Sequence, residues 1–264
     1  MGISFGQIID GLTAGIAAPD HTVDRLEPGK ADFGVSGIVT AFSASQYVVE
    51  QAIDLGANLI ITHEGIYFSH QEQWPWRAND PVFMQKNSLI TSSGIGIYRF
   101  HDYLHRFKPD GVIEGLLREL EWLDYVTEHQ SEGSIVTLPV MEVGEIARYV
   151  KRKLQIPYVR VAGELPMPCA RVGILVGYRG GGGVAIPFFQ DANLDLIIAG
   201  EGPEWETPEY VRDAVHQGRS KALIMLGHAE SEAPGMKYLA EQLALQYPGL
   251  PVHFVAERPV FQIV

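Results

Sequence analysis

One unit recurs along this chain and limits its fold more than any other feature: a short apolar run, a polar tip, and then a segment with helical spacing. The run "SGIVTAF" (36–42) precedes "SASQYVVEQAIDLG", in which Ser43 or Ser45 is the predicted N-cap and Gly56 the predicted helix end. The next apolar run, "ANLIITH", follows at once. Uninterrupted apolar runs between helices are typical of parallel strands buried on both faces. The sequence therefore predicts an α/β fold.

The same unit is present in both halves of the chain. "GVIEGLLRELEWL" (111–123) predicts a helix with one apolar stripe, and the sequence pattern changes after it. Further helices are predicted from near Val143 and from Thr207, which is the expected N-cap because Pro208 follows it. We predict two similar α/β lobes, the first formed by residues 1–125 with 228–264 and the second by residues 126–227.

Composition and charge argue against several classes of protein. No apolar run approaches the roughly 18 residues that span a bilayer, and the start "MGISFGQIIDGL" lacks the features of a secretory signal, so we expect a cytoplasmic protein without a membrane partner. The net charge is -12, from 20 basic and 32 acidic residues, which is the wrong sign for binding a phosphate backbone. Nucleic acid is therefore not an expected partner. The single cysteine, Cys169, excludes an internal disulfide and predicts a small core residue rather than a nucleophile.

Three predicted strands end in histidine. His63 is followed by Glu64, whereas His101 has a second histidine, His105, four residues later. The third, His228, has a carboxylate, Glu232, at the same distance. Ligands of open α/β sheets lie beyond the carboxyl ends of strands, and residues four apart share a helical face.

Each histidine alone has a simpler explanation, as a solvated or hydrogen-bonded side chain. The acidic residues after His228 are also explained as the first turn of a helix, where the dipole favours carboxylates. The recurrence at three strand ends, with carboxylates beside two of them, favours a metal site over these explanations.

The segments "GANLIITHEGIYF", "IGIYRFHDYLH", "LDLIIAGEG" and "LIMLGHAESEAPGMKYLAEQL" resemble those of the Nif-three-like family, whose members are labelled GTP cyclohydrolase 1 type 2 homologues. The resemblance covers most of the chain. Its most specific part comprises Gly227, His228, Ser231, Glu232, Gly235 and Met236. It implies the Nif-three-like fold, with two α/β lobes and a dinuclear metal site in the cleft between them, in a toroidal homohexamer.

The family's metal ligands match this chain with two departures. His63 matches the first histidine of the family's usual His-His pair, but Glu64 replaces the second. His101 matches the histidine of the next metal segment, while His105 replaces the family's aspartate. His228 and Glu232 match directly. The family's three imidazoles and two carboxylates thus become His63, His105 and His228 with Glu64 and Glu232, and His101 is a further candidate.

The implied chemistry is hydrolysis of a small molecule or nucleotide. Mixed imidazole and carboxylate ligands suit two divalent ions of zinc, manganese, iron, cobalt or nickel, which would polarise a substrate oxygen and activate water. Glu64 could be a metal ligand or the general base. Two alternatives remain open: a non-catalytic metal-binding assembly or carrier protein, and a scaffold that binds no metal.

Three other segments are secondary candidates. The loop "GYRGGGG" (177–183), with Arg179, could bind an anion or could be a flexible or interface loop. Glu201 in "AGEGPEWETPE" could join the metal site or belong to a solvated acidic turn. Trp74 and Trp76 predict a substrate-side loop or a packing surface.

Overall fold

The computed structural model describes residues 2–71 and 79–264. The chain divides into two compact units: unit 1 comprises Met1–Gly111 with Met236–Gln262, and unit 2 comprises Val112–Gly235 with Ile263–Val264. The divisions at 111/112 and 235/236 fall inside helices, and a third lies at 262/263 near the end of the chain. The sequence predicts boundaries at 125/126 and 227/228. The predicted Trp74 and Trp76 loop lies outside the described residues.

The described residues form eleven strands and nine helices. The strands are β1 (Arg25–Leu26), β2 (Ile38–Ala41), β3 (Leu59–Thr62), β4 (Gly96–Arg99), β5 (Val126–His129), β6 (Ser134–Glu142), β7 (Arg160–Ala162), β8 (Pro168–Leu175), β9 (Leu196–Ala199), β10 (Ala222–Met225) and β11 (Val252–Phe254). The helices are α1 (Phe5–Thr13), α2 (Gln46–Asp54), α3 (Pro81–Ser93), α4 (Asp102–His105), α5 (Gly111–Glu119), α6 (Val143–Lys153), α7 (Gly182–Asp191), α8 (Thr207–His216) and α9 (His228–Gln246). Short 3₁₀ turns occupy Leu123–Tyr125 and Gly177–Gly180.

Unit 1 is built on a five-stranded sheet with the order β1-β4-β3-β2-β11. Strands β4, β3, β2 and β11 are parallel, and β1 pairs antiparallel to β4. Every residue of β2, β3 and β4 is buried. These strands therefore read as continuous apolar runs rather than as alternating patterns, because helices such as α2 and α3 pack against the sheet with Val48 and Ile90.

Unit 2 has a six-stranded sheet with the order β5-β6-β8-β9-β10-β7. Strands β8, β9 and β10 are parallel, and the other three pair antiparallel. Its core joins the sheet to α7 and α8 through Phe188, Phe189, Val211 and Leu223. The predicted α/β class and two-lobe organisation are confirmed. Unit 1 contains four adjacent parallel strands and unit 2 contains three.

Local capping explains where α2 begins, whereas the predicted cap of α8 is not used. Ser45, one of the two predicted N-caps of α2, accepts a hydrogen bond from the Val48 backbone N–H (3.2 Å). Gly56 follows the end of that helix with a φ of 68°, a conformation that glycine adopts without steric cost. The prediction that Thr207 caps α8 is wrong by one residue: Thr207 is already helical, and its buried hydroxyl instead donates to the Gly180 carbonyl oxygen (2.7 Å).

Candidate functional site

The carboxyl ends of β3 and β4 bring three histidines together in unit 1. His63 directly follows β3, and His101 lies two residues beyond the end of the neighbouring parallel strand β4. The rings of these two residues stack with centroids 4.5 Å apart. His105 lies one helical turn after His101, and its ring centroid is 4.9 Å from that of His63. One nitrogen from each of the three rings lies within 4.8 Å of the others.

Each of the three rings has an oxygen beside its Nδ1 atom. Asp102 Oδ1 lies 2.8 Å from His101 Nδ1, and Asp110 Oδ2 lies 2.9 Å from His105 Nδ1. The Phe100 carbonyl oxygen lies 3.4 Å from His63 Nδ1. An oxygen acceptor at Nδ1 favours the tautomer that carries its proton there and leaves the Nε2 lone pair for a metal. All three imidazoles are therefore oriented to offer Nε2.

Asp24 fixes the turn that carries His101. Its carboxylate accepts hydrogen bonds from the backbone N–H groups of His101, Asp102 and Tyr103, at 2.9, 2.8 and 3.0 Å. Burial raises the pKa of Asp24 above its ordinary value despite these bonds. Burial would also raise the pKa of Asp102, but hydrogen bonds from the Val23 N–H and from His101 outweigh it and lower that pKa. Asp102 thus remains an ionised acceptor beside His101.

Burial among other histidines keeps His101 neutral. Desolvation is the largest cause, and His63 and His105 add to it, so that the pKa of His101 falls to about 2. A neutral imidazole does not have to lose a proton before it binds a cation. His101 can therefore donate an electron pair at neutral pH.

Glu64 lies beside this cluster but makes an ion pair of its own. Its Oε2 atom is 2.6 Å from Arg99 Nη2 and 3.4 Å from His70 Nδ1. Its Oε1 atom is 3.8 Å from His101 Nε2. The two oxygens of Glu64 therefore have different surroundings, one facing a guanidinium and the other facing the His101 ring.

A second cluster forms at the carboxyl ends of β9 and β10 in unit 2. Glu201 lies in the loop after β9, and His228 begins α9 shortly after β10. Glu201 Oε1 lies 2.9 Å from His228 Nδ1, and Glu232 Oε2 lies 3.1 Å from His228 Nε2. Glu232 is one helical turn beyond His228 and is only 2% exposed.

The carboxylates of unit 2 shift the pKa of His228 in the opposite direction to that of His101. Burial alone would lower the pKa of His228, but hydrogen bonds to Glu201 and Glu232 outweigh it and raise that pKa to about 10. The same hydrogen bond from His228 lowers the pKa of Glu201. This cluster therefore attracts positive charge, whether it is carried by a proton or by a metal ion.

A glycine leaves the room that the second cluster needs. Gly177 has a φ of 57°, and a Cβ atom placed there would meet the Glu232 carboxylate and lie 3.1 Å from His228 Nε2. Its backbone N–H donates to Ser231 Oγ (2.9 Å), and that hydroxyl donates to the His228 carbonyl oxygen (2.8 Å). The turn after β8 is thereby fixed against the first turn of α9.

The glycine loop at 177–183 is already engaged with other parts of unit 2. The Gly182 N–H at the start of α7 donates to the Glu206 carboxylate (2.7 Å). Arg179 Nη1 donates to the Glu132 carbonyl oxygen (3.2 Å). A carboxylate of the chain itself thus occupies the helix start that was one candidate site for an anion.

Unit 2 also contains a cavity of about 520 Å³. Its apolar wall includes Leu223, Met225 and Val215, and its charged residues include Arg160 and Glu204, which are paired at 2.8 Å. Gly202 also lines the cavity, and it is the residue that directly follows Glu201 in the chain. The volume is sufficient for a small molecule.

Cys169 lies in the core, as its lone occurrence predicted. It is 2% exposed, and burial raises the pKa of its thiol to about 11. Its Sγ atom lies 3.5 Å from the Met141 carbonyl oxygen. A thiol of this kind is a poor nucleophile at neutral pH.

The structure places four of the six predicted metal residues in unit 1 and two in unit 2. The first group is His63, Glu64, His101 and His105, and the second is His228 and Glu232. Sequence reasoning missed several residues that orient them: Asp24, His70, Arg99, Asp102 and Asp110. Two of these could have been found from the sequence, because a carboxylate lies close to a predicted metal ligand in each case. Asp102 directly follows His101, and Asp110 lies five residues after His105.

The donor chemistry of both clusters fits divalent metal ions. Unit 1 offers three imidazole nitrogens, and unit 2 offers one imidazole between two carboxylates. Neutral imidazoles oriented by carboxylates, together with buried carboxylates, are the donors that transition metals use in proteins. Among the described residues, no helix is both long and apolar enough to cross a membrane.

Comparison with known proteins agrees with this architecture. A GTP cyclohydrolase 1 type 2 homolog of Escherichia coli strain K12 is 28% identical over 251 residues, covering 90% of each chain. A Bacillus cereus protein related to NIF3 and a hypothetical protein of Staphylococcus aureus have similar folds, with TM-scores of 0.78 and 0.76 at 17% and 19% identity, each over 100% of both chains. The Duf34/NIF3 (NGG1p interacting factor 3) family profile matches residues 26–259. The chain therefore belongs to the DUF34/NIF3 family.

Proposed function

We propose that this chain is a metal-dependent hydrolase of a small molecule or nucleotide, and that each of its two clusters holds one divalent ion. The observation that carries the proposal is the unit 1 group of His63, His101 and His105. Their ring nitrogens lie within 4.8 Å of one another, and each Nδ1 has an oxygen beside it. A set of three imidazoles that leaves a coordination position open is typical of catalytic rather than structural metal sites.

The residues of the two clusters would have distinct roles. His63, His101 and His105 would hold one ion through Nε2, and His228 with Glu232 would hold the other. Glu64 Oε1, which lies 3.8 Å from His101 Nε2, would accept a proton from the attacking water or serve as a further ligand. A bound zinc, manganese, iron, cobalt or nickel ion would supply Lewis-acid polarisation of the substrate.

The substrate class rests on the cavity and on the relatives. The cavity in unit 2 has the volume of a small-molecule site, and Gly202 in its wall is adjacent to Glu201 of the second cluster. Relatives that carry the name GTP cyclohydrolase 1 type 2 homolog make GTP the first compound to test.

The experiment is to strip the protein of metal, reload it with each of the five metals, and measure bound metal and hydrolysis on the same sample. We expect about two ions per chain and turnover of GTP or of a simple ester or phosphodiester. The control is the His216→Ala variant, which removes an exposed histidine at the end of α8, outside both clusters. It should bind as much metal as the wild type. Stoichiometric metal without turnover would support the carrier alternative, and no binding by the reloaded protein would refute the proposal.

We also propose a homohexamer, on the basis of the family resemblance. Light scattering of the purified protein would then give six times the chain mass of 29.1 kDa. A monomer or dimer at micromolar concentration would contradict this assembly.

A further inference from the structure

Arg99 is a buried cation at the edge of the unit 1 cluster. It ends strand β4, in the interior of the sheet, and is only 3% exposed. A buried guanidinium is tolerated only where its charge and its N–H groups have partners. The partners of Arg99 therefore indicate what it does.

The side-chain hydrogen-bond partners of Arg99 among the described residues lie in the turn that follows β3. Its Nη1 donates to the His70 carbonyl oxygen (2.7 Å), and its Nε lies 3.4 Å from the His63 carbonyl oxygen. Its Nη2 donates to Glu64 Oε2 (2.6 Å) and to His70 Nδ1 (2.9 Å). One planar side chain thus connects both ends of the turn from residue 63 to residue 70.

This arrangement makes the two oxygens of Glu64 unequal. Oε2 faces Arg99 and also accepts from the Gly65 N–H (3.2 Å). Oε1 points to the other side, 3.8 Å from His101 Nε2. Because Oε2 is held by a charge-assisted bond to Arg99, Oε1 is the oxygen turned towards His101.

The charge of Arg99 also offsets that of Glu64. Glu64 stands where the family resemblance implied a neutral histidine, so this chain has one more negative charge at the turn. Arg99 supplies a positive charge within 2.6 Å of that carboxylate. The negative charge of Glu64 is therefore balanced within this chain by a cation on the neighbouring strand.

We propose that Arg99 is a positioning residue of the unit 1 cluster, holding Glu64 so that Oε1, and not Oε2, faces His101. The proposal rests on the metal binding described under the proposed function. Arg99 acts through Glu64, and its contact with His63 is to the backbone carbonyl oxygen rather than to the ring. His70 belongs to the same arrangement, because a guanidinium can only donate and His70 Nδ1 must accept.

The test is a double-mutant cycle on metal affinity with Arg99→Met, Glu64→Gln and the double variant. Cobalt binding is measured by competition and by the visible spectrum of the bound ion. We expect Arg99→Met to weaken binding at unit 1 by about 10- to 100-fold when Glu64 is present and by less than about threefold when it is Gln. Equal losses in both backgrounds would overturn the proposal, because Arg99 would then support only the fold.

Two further variants separate charge from geometry. Arg99→Lys keeps the charge but lacks the planar fork, so we expect it to restore only part of the affinity. Arg118→Met, which removes an exposed pair with Glu114, is the matched control and should leave cobalt affinity unchanged. If Arg99→Met does not fold, Arg99→Lys takes its place in the cycle, and full affinity in that variant would contradict a need for the fork.

A metal-free measurement distinguishes this proposal from the proposed function. Nitrogen chemical shifts of His70 should report the Nε2–H tautomer in the metal-free protein and should lose that preference in Arg99→Met. If the wild-type chain binds no metal but His70 responds in this way, the hydrolase proposal fails while the Arg99 arrangement holds. An unchanged His70 tautomer in Arg99→Met would refute the arrangement itself.

Discussion

The two clusters occupy equivalent places in their sheets but have opposite electrostatic character. In unit 1 the groups that meet beyond the strands are imidazoles, and mutual repulsion with burial lowers the pKa of His101 to about 2. In unit 2 a single imidazole lies between two carboxylates, which raise the pKa of His228 to about 10. The strand ends determine where polar groups meet, whereas the identity of those groups determines whether the cluster excludes or attracts a proton.

The largest expected effect comes from removing one donor of each cluster. We expect His63→Ala to remove about one metal ion per chain and to leave the ion of unit 2, and Glu232→Gln to do the reverse, because each ion depends on its own donors. Elemental analysis of the two variants beside the wild type measures this. Loss of both ions in either variant would show that the clusters do not bind independently.

A strong effect confined to unit 2 is expected for Gly177→Ala. The added Cβ would occupy the space beside Glu232 and His228, and a φ of 57° costs an alanine roughly 1 kcal/mol. Metal titration should show weakened binding in unit 2 with unit 1 unaffected. Gly183→Ala, where a Cβ would meet nothing within 4 Å, is the control.

A moderate effect confined to unit 1 is expected for Asp110→Asn. The amide no longer holds the Nδ1 proton of His105 as a carboxylate does, so metal affinity at unit 1 should fall by roughly 10- to 100-fold. Competition with a chelator of known affinity measures the change. An unaltered affinity would mean that Asp110 does not orient His105.

The smallest effect is a pH dependence of stability in the metal-free protein, with opposite signs for the two histidines. A histidine in the unfolded chain titrates at its ordinary pKa of about 6.5. Because folded His101 accepts a proton only near pH 2, its contribution weakens folding as the pH falls below about 6.5. Folded His228 keeps its proton to about pH 10, so its stabilisation is complete below about pH 6.5 and is lost as the pH rises towards 10.

Thermal unfolding from pH 4 to 10 checks this prediction. Relative to wild type, His101→Gln should flatten the acidic side of the curve and His228→Gln the alkaline side, each by on the order of a few degrees. Parallel curves for all three proteins would contradict the contrast between the clusters.

The sequence by itself determined the α/β class and the positions of the polar tips. Apolar runs such as the one ending at Thr62 are continuous because both faces of β3 are covered, and that pattern is local. His63, His101 and His228 follow such runs, so their placement beyond strand ends could be predicted from periodicity. The resemblance of four sequence segments to the Nif-three-like family then indicated the family.

Only the tertiary structure decided which side chains surround each histidine. Arg99 reaches Glu64 across 35 residues of chain, and Glu201 reaches His228 across 27, and no periodic pattern encodes such pairs. Strand order brings them together, because the ends of neighbouring parallel strands meet at one edge of a sheet. The charges that neighbours impose, and therefore the opposite pKa shifts of His101 and His228, follow from that order and not from either histidine's local sequence.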